Sequence, residues 1–256
     1  MIDLHCHILP GVDDGAQSLD EAAAMCRLAA RDGCEGMVAT PHQRRGEWWN
    51  ADRAALAALA DELQSAVGAG FRVYLGGEVH VDSGLLAEVE KLPEGGGILP
   101  LAGSRYLLIE LDSMGTPTEA IHLVHELAVA GWRPIIAHPE FIPWLAPDPE
   151  LVARLVALGA TSQVTAMSVT GDFGRRPQTD VFALLDAGLV HFVAWYVNAR
   201  RSAVGTGGPL FFLDDAKWSP AGGWVPWLLL AGLGALALLA AAVTPAVQAR
   251  RAIGSA

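Results

Sequence analysis

Two histidines stand two residues apart at the end of a short apolar run, in Met1-Ile-Asp-Leu-His-Cys-His, and a Pro-Gly turn then delivers Asp13 and Asp14. Side chains two apart on an extended strand point the same way. His5 and His7 therefore converge beside a carboxylate, a donor set able to hold a divalent metal. A pair of histidines at one strand end also has ordinary structural uses, so recurrence decides the matter. Gly36–Thr40 runs into Pro41-His42, Phe71–Leu75 into Gly-Gly-Glu78, Arg105–Ile109 into Glu110, and Arg133–Ala137 into His138. The candidate ligands are thus His5, His7, Asp14, His42, Glu78, Glu110 and His138. Four imidazoles and three carboxylates exceed the needs of one ion, so two or three ions are expected. Mixed nitrogen and oxygen donors suit manganese, iron or zinc better than calcium or magnesium. A multinuclear site of this kind polarises a phosphoryl oxygen and makes hydroxide available near neutral pH, which points to hydrolysis of a phosphate ester.

Other chemistries fit less well. A cysteine-based phosphatase needs Cys-x5-Arg, and counting from Cys6 lands on Val12. Cys6 lies between two candidate ligands, so it should face the opposite way and pack as a buried thiol. No Gly-x-Ser-x-Gly elbow is present.

The elements that must position these residues alternate. Ser18-Leu-Asp-Glu21 is a capping box opening a helix to about Asp32, with Gly33 as its C-cap. Asn50 is the expected cap of a second helix, 51–67. Further helices are expected over 82–90, from the Thr116-Pro-Thr-Glu119 capping box to Gly131, over 148–158 and over 178–187. Thr161–Thr165 and Leu189–Ala194 complete seven strand-like runs. Strands alternating with helices indicate a parallel sheet. Catalytic side chains at the ends of several successive strands favour a barrel over a doubly wound sheet, which gathers ligands at one switch point. The expected fold is α/β, a distorted (β/α)7 TIM-like barrel over residues 1–201.

The 256 residues carry a net charge of −11, against a nucleic-acid partner that would require a basic face. Three cysteines without evident pairing suit a reducing compartment, and Asp3 and His5 interrupt any signal-peptide core, so a cytoplasmic domain is expected. The C-terminal part differs. Residues 202–223 form a Gly-rich linker, 224–247 lack any charged residue and are apolar on all sides, and 248–256 are a short basic tail. About 20 apolar residues can span a bilayer, and Trp224 and Trp227 suit its interface, so 224–247 is a candidate transmembrane helix and membrane anchor.

The opening fifteen residues, with Val-Ala-Thr-Pro-His42, Gly-Gly-Glu78 and Ala-His-Pro-Glu140, resemble the CpsB/CapC family of the PHP superfamily. The resemblance covers residues 1 to about 194, including Thr170-Gly-Asp-Phe-Gly-Arg-Arg176. It implies a PHP-type barrel with a three-metal site, usually manganese. It also implies dephosphorylation of a tyrosine autokinase that controls capsule or exopolysaccharide export. The seven candidate ligands match the family's metal-binding motifs. Two departures stand out. The family continues Phe-Val-Ala with Ser-Asp-Ala-His-Asn, whose Asp and His complete the metal site, whereas Ala194 is followed here by Trp195-Tyr-Val-Asn. An arginine expected after His-Pro-Glu140 is Phe141. Arg200 and Arg201 are candidate phosphate contacts in its stead, as is Tyr196 for a ligand; Arg44-Arg45 and Arg175-Arg176 are further candidates that read more simply as solvated surface charge. Impaired activity follows from the missing ligands. A histidinol-phosphatase-like enzyme and a membrane-tethered pseudophosphatase that only binds phosphorylated protein are the competing readings.

Overall fold

The computed structural model describes residues 1–194 and the backbone of 211–212. Chain order runs β1 (Ile2–Cys6), α1 (Leu19–Arg31), β2 (Gly36–Ala39), β3 (His42–Gln43), α2 (Arg53–Val67), β4 (Arg72–Leu75), β5 (Glu78–His80) and α3 (Leu85–Glu90). It continues β6 (Tyr106–Glu110), α4 (Pro117–Val129), β7 (Arg133–Ala137), α5 (Pro149–Ala157), β8 (Thr161–Thr165), α6 (Ala166–Thr170), α7 (Arg175–Asp186), β9 (Phe192–Ala194) and β10 (Phe211–Phe212). One sheet has the order β1-β2-β4 and the other β10-β9-β8-β7-β6-β5-β3. Every pairing is parallel except β10 with β9.

The two sheets are one array with breaks. Pro41 separates β2 from β3, and Gly76-Gly77 separates β4 from β5. Across those breaks the ladder continues, with Gly76 N donating to Ala39 O at 2.8 Å and Glu78 N to Pro41 O at 3.1 Å. Seven strand positions therefore follow one another in sequence order, the arrangement that short right-handed crossovers produce. The first and last of them, β1 and β9, lie side by side.

Three apolar layers hold the array. One lies between α1, α2 and the strands β1 and β2, and includes Cys6, Met25, Leu56 and Leu63. A second packs α3, α4, α5 and α7 on the other strands through residues such as Val79, Leu127, Ile136 and Leu155. The third draws on strand residues and Leu101: Ile2 and Leu4 on β1, Val38 on β2, Tyr74 on β4, Leu108 on β6, Ile135 and Ala137 on β7, and Phe192 on β9.

Local signals behave as their chemistry requires, with some shifts. Thr116 and Glu119 form a complete capping box, while Ser18 accepts from Glu21 N and Glu21 accepts from Gln17 N rather than from Ser18 N. The cap of α2 is Asp52, which accepts from Ala54 and Ala55 N, and not Asn50. Asn50 sits at φ 43° and donates its side-chain amide to Val12 O and His42 O, a tie between loops. The helix expected over 82–90 shortens to α3 because Asp82 accepts from Gly84 N in a turn. Residues 211–212, expected within a linker, form β10. The rest of 202–223, the apolar stretch 224–247, the tail 248–256, Tyr196, Arg200 and Arg201 lie outside the described residues. Among the described residues no helix is long and apolar enough to cross a membrane.

Candidate metal centre

The alternation of the strands decides which side chains reach one end of the array. Val38 belongs to the third layer, and two steps of two along the chain lead from it to His42; Tyr74 leads in the same phase to Glu78, and Leu108 to Glu110. His5 and His138 are out of phase with Leu4 and Ala137, and the backbone corrects both. Between Asp3 and Cys6 the β1–β2 register slips by one residue, a bulge that turns His5 inward and sends Cys6 to the helix layer. Asp3 braces this bulge, accepting from His5 N at 3.2 Å and from the Cys6 thiol at 2.8 Å. His138 takes a left-handed conformation, φ 33° and ψ 58°. A non-glycine residue there costs about 1–3 kcal/mol and is found where the surroundings impose it, commonly at functional sites.

All seven predicted ligands come together. They form three groups whose ligand atoms lie within 4.8 Å of one another: His5, Glu78 and His138; His7, Asp14 and His42; and His42, Glu78 and Glu110. Glu78 is the hub. Its Oε1 is 2.7 Å from His138 Nε2, and its Oε2 is 2.9 Å from His42 Nδ1 and 3.3 Å from both His5 Nε2 and His7 Nε2. His5, His7, His42 and Glu78 are wholly buried, and only Asp14 keeps substantial exposure.

Residues outside the predicted set orient the rings. His7 Nδ1 lies 2.7 Å from Asp13 Oδ2, and His5 Nδ1 lies 2.7 Å from Gln163 Oε1. The Gln163 amide is itself oriented by donation to Val164 O at 2.9 Å. A proton held on each Nδ1 turns the Nε2 lone pair toward the cluster, the usual arrangement of metal-binding histidines. Asp13 also accepts from Gly15 N and His42 N. Asp13 was visible as a neighbour of Asp14; nothing local marks Gln163, which is 158 residues from His5.

Lone pairs of several imidazoles converging on a buried carboxylate need a cation among them. Glu78 Oε2 accepts no hydrogen bond of good geometry despite its three close nitrogens. Protons can serve in part: burial opposes charge on His7, yet Asp13 and Glu78 outweigh it and push the group up to about 10. Burial likewise opposes ionisation of Glu78, while His5, His42 and His138 hold it well below the carboxylate range. The donor set therefore fits divalent metal.

A cavity of about 470 Å³ opens over this cluster, lined by Asp14, Arg45, His80, Glu110 and His138 and walled by Leu111, Phe141, Ile142 and Phe173. Phe141 and Phe173 meet edge to face at 5.3 Å. Of the paired arginines, Arg44 grips both oxygens of Asp82 at 2.7 Å and covers the Trp49 ring, a structural contact. Arg45 does not behave as solvated surface charge: its Nη1 is 2.9 Å from His42 Nε2 and 3.0 Å from Glu110 Oε1. Arg176 is exposed at the start of α7. Cys6 is the buried thiol expected, pushed well up by burial and by Asp3.

A family model described as "Capsular polysaccharide synthesis, CpsB/CapC" matches residues 1–202. The chain belongs to the CpsB/CapC family. Tyrosine-protein phosphatase YwqE of Bacillus subtilis is 36% identical over 197 residues, 76% of each chain. The putative tyrosine-protein phosphatase CapC of Staphylococcus aureus is 34% identical over 197 residues, 76% of this chain and 75% of its own. Among solved structures, one from the work on YwqE and Streptococcus pneumoniae CpsB, described as unique metal-dependent tyrosine phosphatases, superposes with a TM-score of 0.69 at 34% identity. It covers 76% of this chain and 78% of its own.

Proposed function

We propose that this CpsB/CapC member is a metal-dependent phosphotyrosine phosphatase of capsule or exopolysaccharide synthesis, acting on a cytoplasmic tyrosine kinase of polysaccharide export. The observation that carries the reading is the cavity, with a histidine–carboxylate cluster at its floor and phenyl rings on its wall. The relatives named above are tyrosine phosphatases, in keeping with it. The same reading closes the seven-position array into a barrel, since β1 and β9 are already neighbours.

His5, His7, Asp14, His42, Glu78, Glu110 and His138 would hold the ions, manganese by preference with iron or zinc as substitutes. Bound divalent metal supplies positive charge to the phosphoryl oxygens and lowers the pKa of a water. The chain's own residues do the rest. Gln163 and Asp13 hold the His5 and His7 rings in one tautomer and one orientation. Arg45 is the one lysine or arginine among the described residues lining the cavity, and it offers guanidinium donors to phosphate. Phe141 and Phe173 exclude water and lie where an aryl ring would pack. The Asp and His that the family carries after Ala194 are replaced by other residues here, so we expect turnover below that of complete relatives. Residues 224–247 would tether the domain to the membrane.

The test is manganese-dependent phosphate release by the full chain from a phosphotyrosine peptide, beside His42→Ala and beside histidinol phosphate as substrate. Release from the peptide that is lost in His42→Ala upholds the proposal. Preference for histidinol phosphate moves the enzyme to a small-molecule substrate. Peptide binding without release makes it a pseudophosphatase, a reading that Phe141, in place of an arginine, favours.

A further inference from the structure

We propose that the Arg45 guanidinium is a built-in cation that takes the place of one metal ion, so that this chain holds fewer divalent ions than its three ligand groups would allow. The inference rests on reading the cluster as a metal centre. Arg45 enters His42–Glu78–Glu110 most fully, since Nη1 contacts two of its three members, His42 Nε2 at 2.9 Å and Glu110 Oε1 at 3.0 Å; His42 is shared with the His7–Asp14–His42 group, where the same Nε2 is 3.6 Å from Asp14 Oδ1. The second oxygen of Glu110 is 3.3 Å from His80 Nδ1, so both carboxylate oxygens already have nitrogen partners from the chain.

The backbone aims the arginine there. Between β3 and α2 the chain turns back on itself, with Arg44 at φ 61°, Arg45 N donating to Trp48 O and Trp48 N to Arg45 O. The Trp48 ring stacks on the His42 ring at 5.2 Å and 8°. Arg44 bound to Asp82 and Asn50 bound to the carbonyls of His42 and Val12 fix both ends of the turn. Arg45 thus emerges beside His42 from a loop tied down on every side.

Charge completes the argument. With a neutral imidazole, His42, Glu78 and Glu110 carry two negative charges, which one guanidinium offsets by half while repelling a divalent ion at the same donors. The last inner strand ends Phe192-Val-Ala194 and runs into Trp195-Tyr196, so those positions add no carboxylate or imidazole to favour another ion. Arg45 retains about two-fifths of its side-chain exposure, toward the cavity. It lines the space a phosphoryl group would enter.

The experiment is elemental analysis of the full chain equilibrated with excess manganese and desalted, for wild type, Arg45→Gln and Arg45→Lys, each checked for a cooperative thermal melt. About two ions per chain are expected in wild type, fewer than the three groups would allow, and about three in Arg45→Gln. Arg45→Lys, which keeps the charge, should stay at about two. Three ions in wild type, or no gain in Arg45→Gln, overturns the inference and leaves the metal-centre reading intact; three in Arg45→Lys overturns charge as its cause. Wild type without bound manganese overturns both readings together.

Discussion

Replacing Gln163 by leucine separates a ring-orienting role from mere packing. Gln163 is buried, its Oε1 lies 2.7 Å from His5 Nδ1, and its amide is held by Val164 O. Leucine fills a similar volume but accepts nothing, so the His5 ring loses the partner that fixes its Nδ1 proton and its tilt. Loss of such a partner behind a metal-bound histidine weakens affinity about 10–100-fold, equivalent to roughly 1.4–2.8 kcal/mol. Only the His5–Glu78–His138 group contains His5, so the weakening should fall on one class of ion and spare another. Competition of manganese against a fluorescent chelator, fitted with two classes of site, measures this directly. A thermal melt in excess chelator runs beside it; removing the buried acceptor should cost about 1–3 kcal/mol there. Manganese affinities within threefold of wild type at every site, in a variant that melts cooperatively, would refute the claim that Gln163 orients a ligand.

Three further outcomes are expected. Gly15→Ala should fold poorly or lose metal, because a Cβ there would overlap the His7 carbonyl and Cβ; overpacking costs about 1–3 kcal/mol, read as a lowered melting temperature and manganese affinity. Asp52→Ala should remove the α2 cap at a cost of about 1 kcal/mol with phosphatase turnover unchanged, whereas Asn50→Ala should affect turnover through His42 and the Arg45 turn. The buried Cys26 and Cys34 are each pushed up to about 12, chiefly by burial, so they remain protonated thiols at pH 8. Ellman's reagent should find none of the three cysteines in the native chain at that pH and all of them in guanidinium.

What could be read from the chain alone was what depends on near neighbours. The seven strand-like runs, the capping box at Thr116, the buried Cys6 and the polar residue closing each of the first five strands follow from periodicity and local hydrogen bonding. Alternation counted from Val38, Tyr74 and Leu108, once the structure shows which way those three face, accounts for His42, Glu78 and Glu110. It does not show why His5 and His138 join them, since simple alternation from Leu4 and Ala137 turns both away. A bulge braced by Asp3 and a left-handed residue supply the correction, and each is stabilised by packing the sequence does not display. Local pattern also ranked Arg45 low among the phosphate candidates, because an arginine in a polar turn reads as surface charge until the turn is folded over His42. Gln163 was silent for the plainest reason. Its chemistry exists only where β8 stands across from β1, and a contact between residues 158 apart is fixed by the order and curvature of the strands.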